Sequence, residues 1–171
     1  VSAPLDFYGV NFYNPTRVAE AAPDSPFAEA GLPFEPVEIA GVPVTGFGWP
    51  VVPEALERLL LGLRDAYGDA LPPLAITENG ASYPDEVVDG RVADAERIAY
   101  LDGHLRAVHR AIEAGVDVRG YDVWSLIDNF EWADGYTQRF GLVHLDRDTG
   151  ERTRKDSFDW YRRLIAEQRA G

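Results

Sequence analysis

Three stretches of this chain run from apolar or aromatic residues into side chains that a sheet core would reject. Leu5-Asp6-Phe7-Tyr8-Gly9-Val10 leads into Asn11 and Tyr13. Leu74-Ala75-Ile76-Thr77 ends at Glu78-Asn79. The third run, from Val118, reaches Trp124-Ser125, with Asp128 and Glu131 just beyond. In parallel α/β folds, ligands bind at the C-terminal strand ends, so three strands finishing alike point to one shared site. Glu78 taken alone fits a capping or solvated carboxylate equally well. The loop after the third run adds Phe130, Trp132, Tyr136 and Phe140. A pyranose packs its C–H faces on an indole while a carboxylate accepts from its adjacent hydroxyls. Phe130 and Phe140 individually read as core packing, whereas Trp124, Glu131 and Trp132 together read as a sugar site.

The elements that must position these residues follow from spacing and punctuation. Residues 5–13 read as a buried strand stopped by Pro15. Seven prolines between Pro15 and Pro50 rule out a long helix over residues 14–52 and leave a long excursion. A β-ribbon of Val37 to Ile39 with Val42 to Thr45 is its one expected element. Pro53 opens a helix in which Leu56, Leu59, Leu60, Leu63 and Tyr67 recur at helical intervals, with Gly68 as its stop. After the Leu74 to Glu78 strand and a polar loop, Asp94 is placed to cap a second helix carrying Ile98, Leu101, Leu105, Val108 and Ile112 to Gly115. A third strand over Val118 to Leu126 precedes the loop from Asp128. Gly141 to Lys155 reads as a hairpin turning at Asp146-Arg147-Asp148-Thr149-Gly150, and Ser157 to Gln168 as a final helix. The alternation suggests βαβ units and a parallel sheet.

Composition bounds the function. A chain of 171 residues is near the ~150 of one domain and can bury ~70% of its extended surface. Hydrophobic residues make up 46%, as in globular proteins. The net charge of −13 argues against nucleic-acid partners and anionic membranes. No apolar run approaches the ~20 residues of a membrane span, and no signal pattern is visible, so a cytoplasmic location is expected. Val1 in place of Met leads to the expectation of processing or of a longer parent chain. With no Cys there is neither a disulfide nor a thiolate metal site. His104 and His109 lie roughly 140° apart around a helix and cannot share a metal. All three histidines read as structural. Ser125 lies in no G-x-S-x-G elbow, Gly46-Phe47-Gly48 lacks the third glycine of a dinucleotide loop, and there is no P-loop. No cofactor and no metal are expected.

Ile76-Thr77-Glu78-Asn79-Gly80, together with Gly120-Tyr121-Asp122-Val123-Trp124-Ser125-Leu126-Ile127-Asp128-Asn129-Phe130-Glu131-Trp132, resembles glycoside hydrolase family 1, the β-glucosidase family. Asn11-Phe12-Tyr13, Tyr136-x-x-Arg139-Phe140-Gly141-Leu142 and Arg154-Lys155-Asp156-Ser157 are similar to it as well, so the resemblance covers nearly the whole chain. It implies a (β/α)8 TIM barrel and retaining hydrolysis of β-linked sugars. By that resemblance Glu78 is the nucleophile and Tyr13 orients it. Glu131 holds the 4- and 6-hydroxyls of the sugar, Trp132 donates to the 3-hydroxyl, Trp124 forms the platform, Phe140 closes the pocket, Asn11 supports from behind, and Trp49 lines the aglycone side.

One departure limits the resemblance. Retention needs a second carboxylate about 5–5.5 Å from the first, and the Asn-Glu-Pro motif that supplies it in the family does not occur here. A complete barrel takes typically ~250 residues, so residues 1–171 read as one partial barrel domain with about three of eight strands. The expected partners are a β-glucoside or oligosaccharide and a missing N-terminal barrel half. Two open strand edges and uncovered apolar inner faces are expected. The alternatives are a noncatalytic sugar-binding module and an inert truncated fragment.

Overall fold

A computed structural model describes residues 4–170, so the question of the initiator at Val1 lies outside the described residues. Three parallel strands form the central sheet: β1 (Tyr8–Asn11), β4 (Leu74–Asn79) and β5 (Val118–Val123), in the order β1-β4-β5. Successive strands lie side by side, with Val10 opposite Ile76 and Ile76 opposite Tyr121. Helix α2 (Pro53–Tyr67) connects β1 to β4, and α3 (Ala95–Glu113) connects β4 to β5. Both helices lie over one face, where Val10, Leu74 and Ile76 pack against Leu56, Leu60, Val108 and Ala111. Alternation along the strands sends Gly9, Asn11, Ala75, Thr77 and Gly120 to the opposite face.

Across that second face Thr77 Oγ1 donates to Asn11 Oδ1 at 2.7 Å, and Phe7, in step with Gly9, leaves an aromatic ring 55% exposed on the same side. The β1 region is not the buried strand expected: only Val10 and Phe12 are buried, while Leu5 and Phe7 are more than half exposed. The outer edges of β1 and β5 pair with no other strand among the described residues. A groove lined by Val123, Leu126, Leu142, Phe158, Tyr161 and Ile165 opens beside β5.

The excursion holds an antiparallel ribbon, but an earlier one than its Val/Thr content suggests. Strand β2 (Arg17–Glu20) pairs with β3 (Phe34–Val37) around a short helix, α1 (Pro26–Glu29). Neither strand holds a fully buried residue, and neither sequence, Arg17-Val18-Ala19-Glu20 nor Phe34-Glu35-Pro36-Val37, alternates apolar with polar residues. Farther on, only Val44 and Pro50 bridge. The third parallel strand ends at Val123, short of the expected Leu126. Strands β6 (Val143–Leu145) and β7 (Arg152–Arg154) make the C-terminal hairpin, and α4 (Asp156–Ala170) ends the described chain.

Asp94 occupies the N-cap position of α3 but does not cap it. Its carboxylate pairs with Arg97 and accepts from the Ser157 N–H at 2.8 Å and from the Ser157 hydroxyl. It therefore serves the first turn of α4, a partner 63 residues away.

His104 is fully buried in α3, its Nδ1 2.7 Å from the Tyr100 carbonyl and its Nε2 without a partner. Burial lowers its pKa from 6.5 to about 4. Between those values the unfolded chain binds a proton that the folded chain refuses, so stability falls as pH drops from about 6.5 to about 4. At about 1.4 kcal/mol per pKa unit, the loss is about 3 kcal/mol. His104→Leu is expected to remove that part of the slope. Urea midpoints of both proteins at about pH 7 and about pH 4.5 measure the difference.

Candidate active site

The three parallel strands end at one cavity of about 400 Å³ lined by Tyr13, Phe47, Trp49, Glu78, Trp124, Glu131, Trp132, Ala133, Asp134 and Phe140. Three of its lining residues come from three different strand ends. Tyr13 follows β1, Glu78 lies within β4, and Trp124 follows β5. The Trp124 N–H donates to the Asn79 carbonyl at 2.9 Å, which ties the second and third strand ends together. Gly80 permits that approach, because a Cβ there would collide with the Trp124 carbonyl oxygen.

The Tyr13 hydroxyl donates to Glu78 Oε2 at 2.7 Å. Burial first, and this bond second, push the phenol well above the usual tyrosine range, so it stays protonated and remains a donor. Asn79 backs this pair from the helix side. Its amide donates to the Phe12 carbonyl at 2.7 Å, and the Tyr121 hydroxyl donates to its Oδ1. The Tyr100 hydroxyl donates to the Tyr13 carbonyl at 2.8 Å. Tyr13 is therefore fixed at both its backbone and its hydroxyl.

Glu131 presents Oε2 buried and without a hydrogen-bond partner. An orphaned carboxylate oxygen is costly unless a ligand donor meets it. Burial, then the charges of Asp134 and Glu78, raise its pKa, while the Trp124 indole pulls the other way. No lysine or arginine lines the cavity.

Aromatic rings form the opposite wall. Trp49 meets Tyr13 edge-on at 5.3 Å between centroids and lies 4.5 Å from Phe47 and 6.0 Å from Phe140. Trp132 is 74% exposed at the rim. Phe130 points away, packing edge-on against Tyr136 at 5.2 Å. Asn11 is outside the cavity and bonds to Thr77. Sequence reasoning did not single out Phe47, Ala133 or Asp134 as cavity residues. The one available signal for Phe47 was an aromatic between two glycines, two residues before Trp49.

The loop from Ile127 to Phe140 is held from beneath by buried charges. The Gly141 N–H and Lys155 Nζ both donate to Asp128 Oδ1 at 2.9 Å. Lys155 also meets Asp85 at 2.5 Å, and Arg97 pairs with Asp85 and Asp94. Among the described residues no cluster of His, Asp and Glu is arranged to hold a metal ion.

Sequential parallel strands backed by helices, with a carboxylate–tyrosine pair and an aromatic wall at their C-terminal ends, place the chain in the class of α/β-barrel proteins carrying a cleft at the C-terminal rim. Within that class it belongs to glycosyl hydrolase family 1, whose family model matches residues 1–170. The chain is 44% identical over 181 aligned residues to a bifunctional β-D-glucosidase/β-D-fucosidase of Bifidobacterium breve, covering 99% of this chain and 39% of that protein. It superposes with TM-score 0.85 on a β-glucosidase from Thermotoga maritima solved in complex with glucoimidazole, at 42% identity, covering 95% of this chain and 34% of that one. The AHE enzyme of Alicyclobacillus herbarius gives TM-score 0.90 at 42% identity, covering 99% and 36%. The fold is thus part of a (β/α)8 barrel, and the chain spans little more than a third of these relatives' length.

Proposed function

We propose that this chain supplies the nucleophile-bearing part of a retaining β-glucosidase site. The observation that carries the reading is the 2.7 Å Tyr13–Glu78 hydrogen bond in a cavity shared with Trp124 and Glu131. Glu78 attacks the anomeric carbon, a C1–Oε bond forms as the bond to the leaving oxygen breaks, and water later hydrolyses the glycosyl-enzyme. Tyr13 keeps the Glu78 oxygen aimed. The buried, partnerless oxygen of Glu131 accepts from sugar hydroxyls, the 4- and 6-positions in this reading, and Trp132 donates to the 3-hydroxyl from the rim. Trp124 and Phe140 bracket the ring, and Trp49 lines the aglycone side. Asn11 acts through Thr77, outside the sugar's reach. The binding of glucoimidazole by the Thermotoga maritima relative supports a glucose-like substrate. The proton for the leaving group comes from a carboxylate on the remaining barrel strands, the partner this reading requires.

Incubation with 2,4-dinitrophenyl 2-deoxy-2-fluoro-β-glucoside tests the reading, because so good a leaving group departs without a proton donor. Mass spectrometry is expected to find one fluoroglucosyl group on Glu78, and none on Glu78→Gln. An unlabelled chain would sink the proposal. The missing Asn-Glu-Pro motif favours a second reading, a noncatalytic sugar-binding module. Glucose binding in a calorimeter without any labelling would select it. Under either reading Glu131→Ala is expected to weaken glucose binding by about 10- to 100-fold, the value of a hydrogen bond to a charged group. Absence of a cooperative thermal transition would instead indicate an inert fragment.

A further inference from the structure

We infer that Arg147, on the β6–β7 turn, is a positioning residue that holds the Glu131–Trp132 loop in its sugar-binding shape; this rests on the reading proposed above. Arg147 does not line the cavity. Its guanidinium carbon lies 3.6 Å from the centroid of the Tyr136 ring, and one Nη donates to the Asp128 carbonyl at 3.2 Å. These two contacts fall on either side of the cavity residues Glu131 to Asp134, Asp128 before them and Tyr136 after them. Between the two contacts the loop folds back on itself. The Glu131 N–H donates to the Gly135 carbonyl at 2.6 Å, and the Phe130 and Tyr136 rings meet edge-on.

The loop needs such a brace because its own packing is thin. Phe130, Trp132 and Tyr136 are all at least half exposed, so little apolar burial fixes its shape. The backbone departs from ordinary geometry there too: Trp132 sits at φ +41°, in the left-handed region that favours glycine. A planar guanidinium suits the task, since one face covers an aromatic ring while its N–H groups reach a carbonyl. Arg147 thus links the C-terminal hairpin to the loop that presents Glu131 without touching the sugar.

Three measurements on the 171-residue chain decide the matter. Arg147→Ala is expected to weaken glucose affinity, and to raise the half-saturating concentration of the fluoroglucoside reagent, about fivefold, the loss of one exposed cation–π contact. The Glu78 labelling rate at saturation stays at the wild-type value, because Tyr13 and Glu78 are untouched. Arg147→Lys, which keeps a cation over the ring but loses the planar stack, recovers part of the affinity. Wild-type affinity in Arg147→Ala, or no recovery in Arg147→Lys, overturns the assignment. Hydrogen exchange of the Glu131 amide gives a readout that needs no sugar. It is expected to accelerate in Arg147→Ala, and unchanged exchange also overturns the assignment. If the wild-type chain neither binds glucose nor takes the label, the functional reading fails while the exchange rates still decide the brace.

Discussion

Hydrolysis of p-nitrophenyl β-glucoside by the 171-residue chain is expected to run about 10²–10⁴-fold below that of the full-length β-glucosidase from Thermotoga maritima. A positioned proton donor contributes that much when the leaving oxygen must be protonated as its bond breaks. The cavity supplies three carboxylates, but the proposed reading engages two of them otherwise: Glu78 as attacking group and Glu131 as hydroxyl acceptor. The deficit should shrink with 2,4-dinitrophenyl β-glucoside, whose departing anion is stable without a proton. Initial rates for the two substrates, compared with those of the full-length enzyme, measure the effect. Turnover within about tenfold of that enzyme on the poorer leaving group would show that a donor is already present. Asp134, the third acid of the cavity, would then be the residue to replace.

Replacing Lys155 with Met should cost the fold about 3–5 kcal/mol, a large share of the ~5–15 kcal/mol that holds a domain of this size together. The ammonium is fully buried between Asp85 and Asp128. Burial and the neighbouring Arg97 charge push its pKa below the usual lysine range, while the two aspartates pull the other way. Removing the ammonium leaves buried Asp128 without a cation at hydrogen-bond distance and Asp85 with Arg97 alone, and that penalty exceeds the loss of the pair itself. Urea unfolding of the wild-type and Lys155→Met chains gives the number. Adding Asp128→Asn should restore part of it, since the asparagine oxygen still accepts the Gly141 N–H without leaving a bare charge. An unchanged midpoint in Lys155→Met would mean that the buried pair is neutral to the fold.

What could be read from the sequence follows from the range of each interaction. The parallel strands and the three long helices, α2, α3 and α4, declared themselves through local periodicity, and Tyr13, Glu78, Trp124 and Glu131 stood out as polar or aromatic groups where strands end. The exposed ribbon of β2 and β3 carried no such alternation, and it formed where Phe34 and Val37 pair with Glu20 and Arg17. Asp94 looked like an ordinary cap because its position before α3 is local, whereas its true hydrogen bonds lie 63 residues ahead at Ser157. The Asp85–Lys155 pair, 70 residues apart, leaves no local pattern at all. Phe47 belongs with this group: the excursion folds back to set it against Trp49 and Phe140, and nothing in Gly46-Phe47-Gly48 announces that return.

The grip of Lys155 on Asp128 also orders events in time. The floor beneath the Glu131 loop is completed by a residue beyond the C-terminal hairpin, joined to partners 27 and 70 residues earlier. Neither contact can form before residue 155 has been made, whereas the Tyr13–Glu78 contact needs only the first 78 residues. During synthesis the first two strand ends can therefore meet while the last wall of the cleft is still fluid, and the complete cleft arrives as a final step, once β7 has docked.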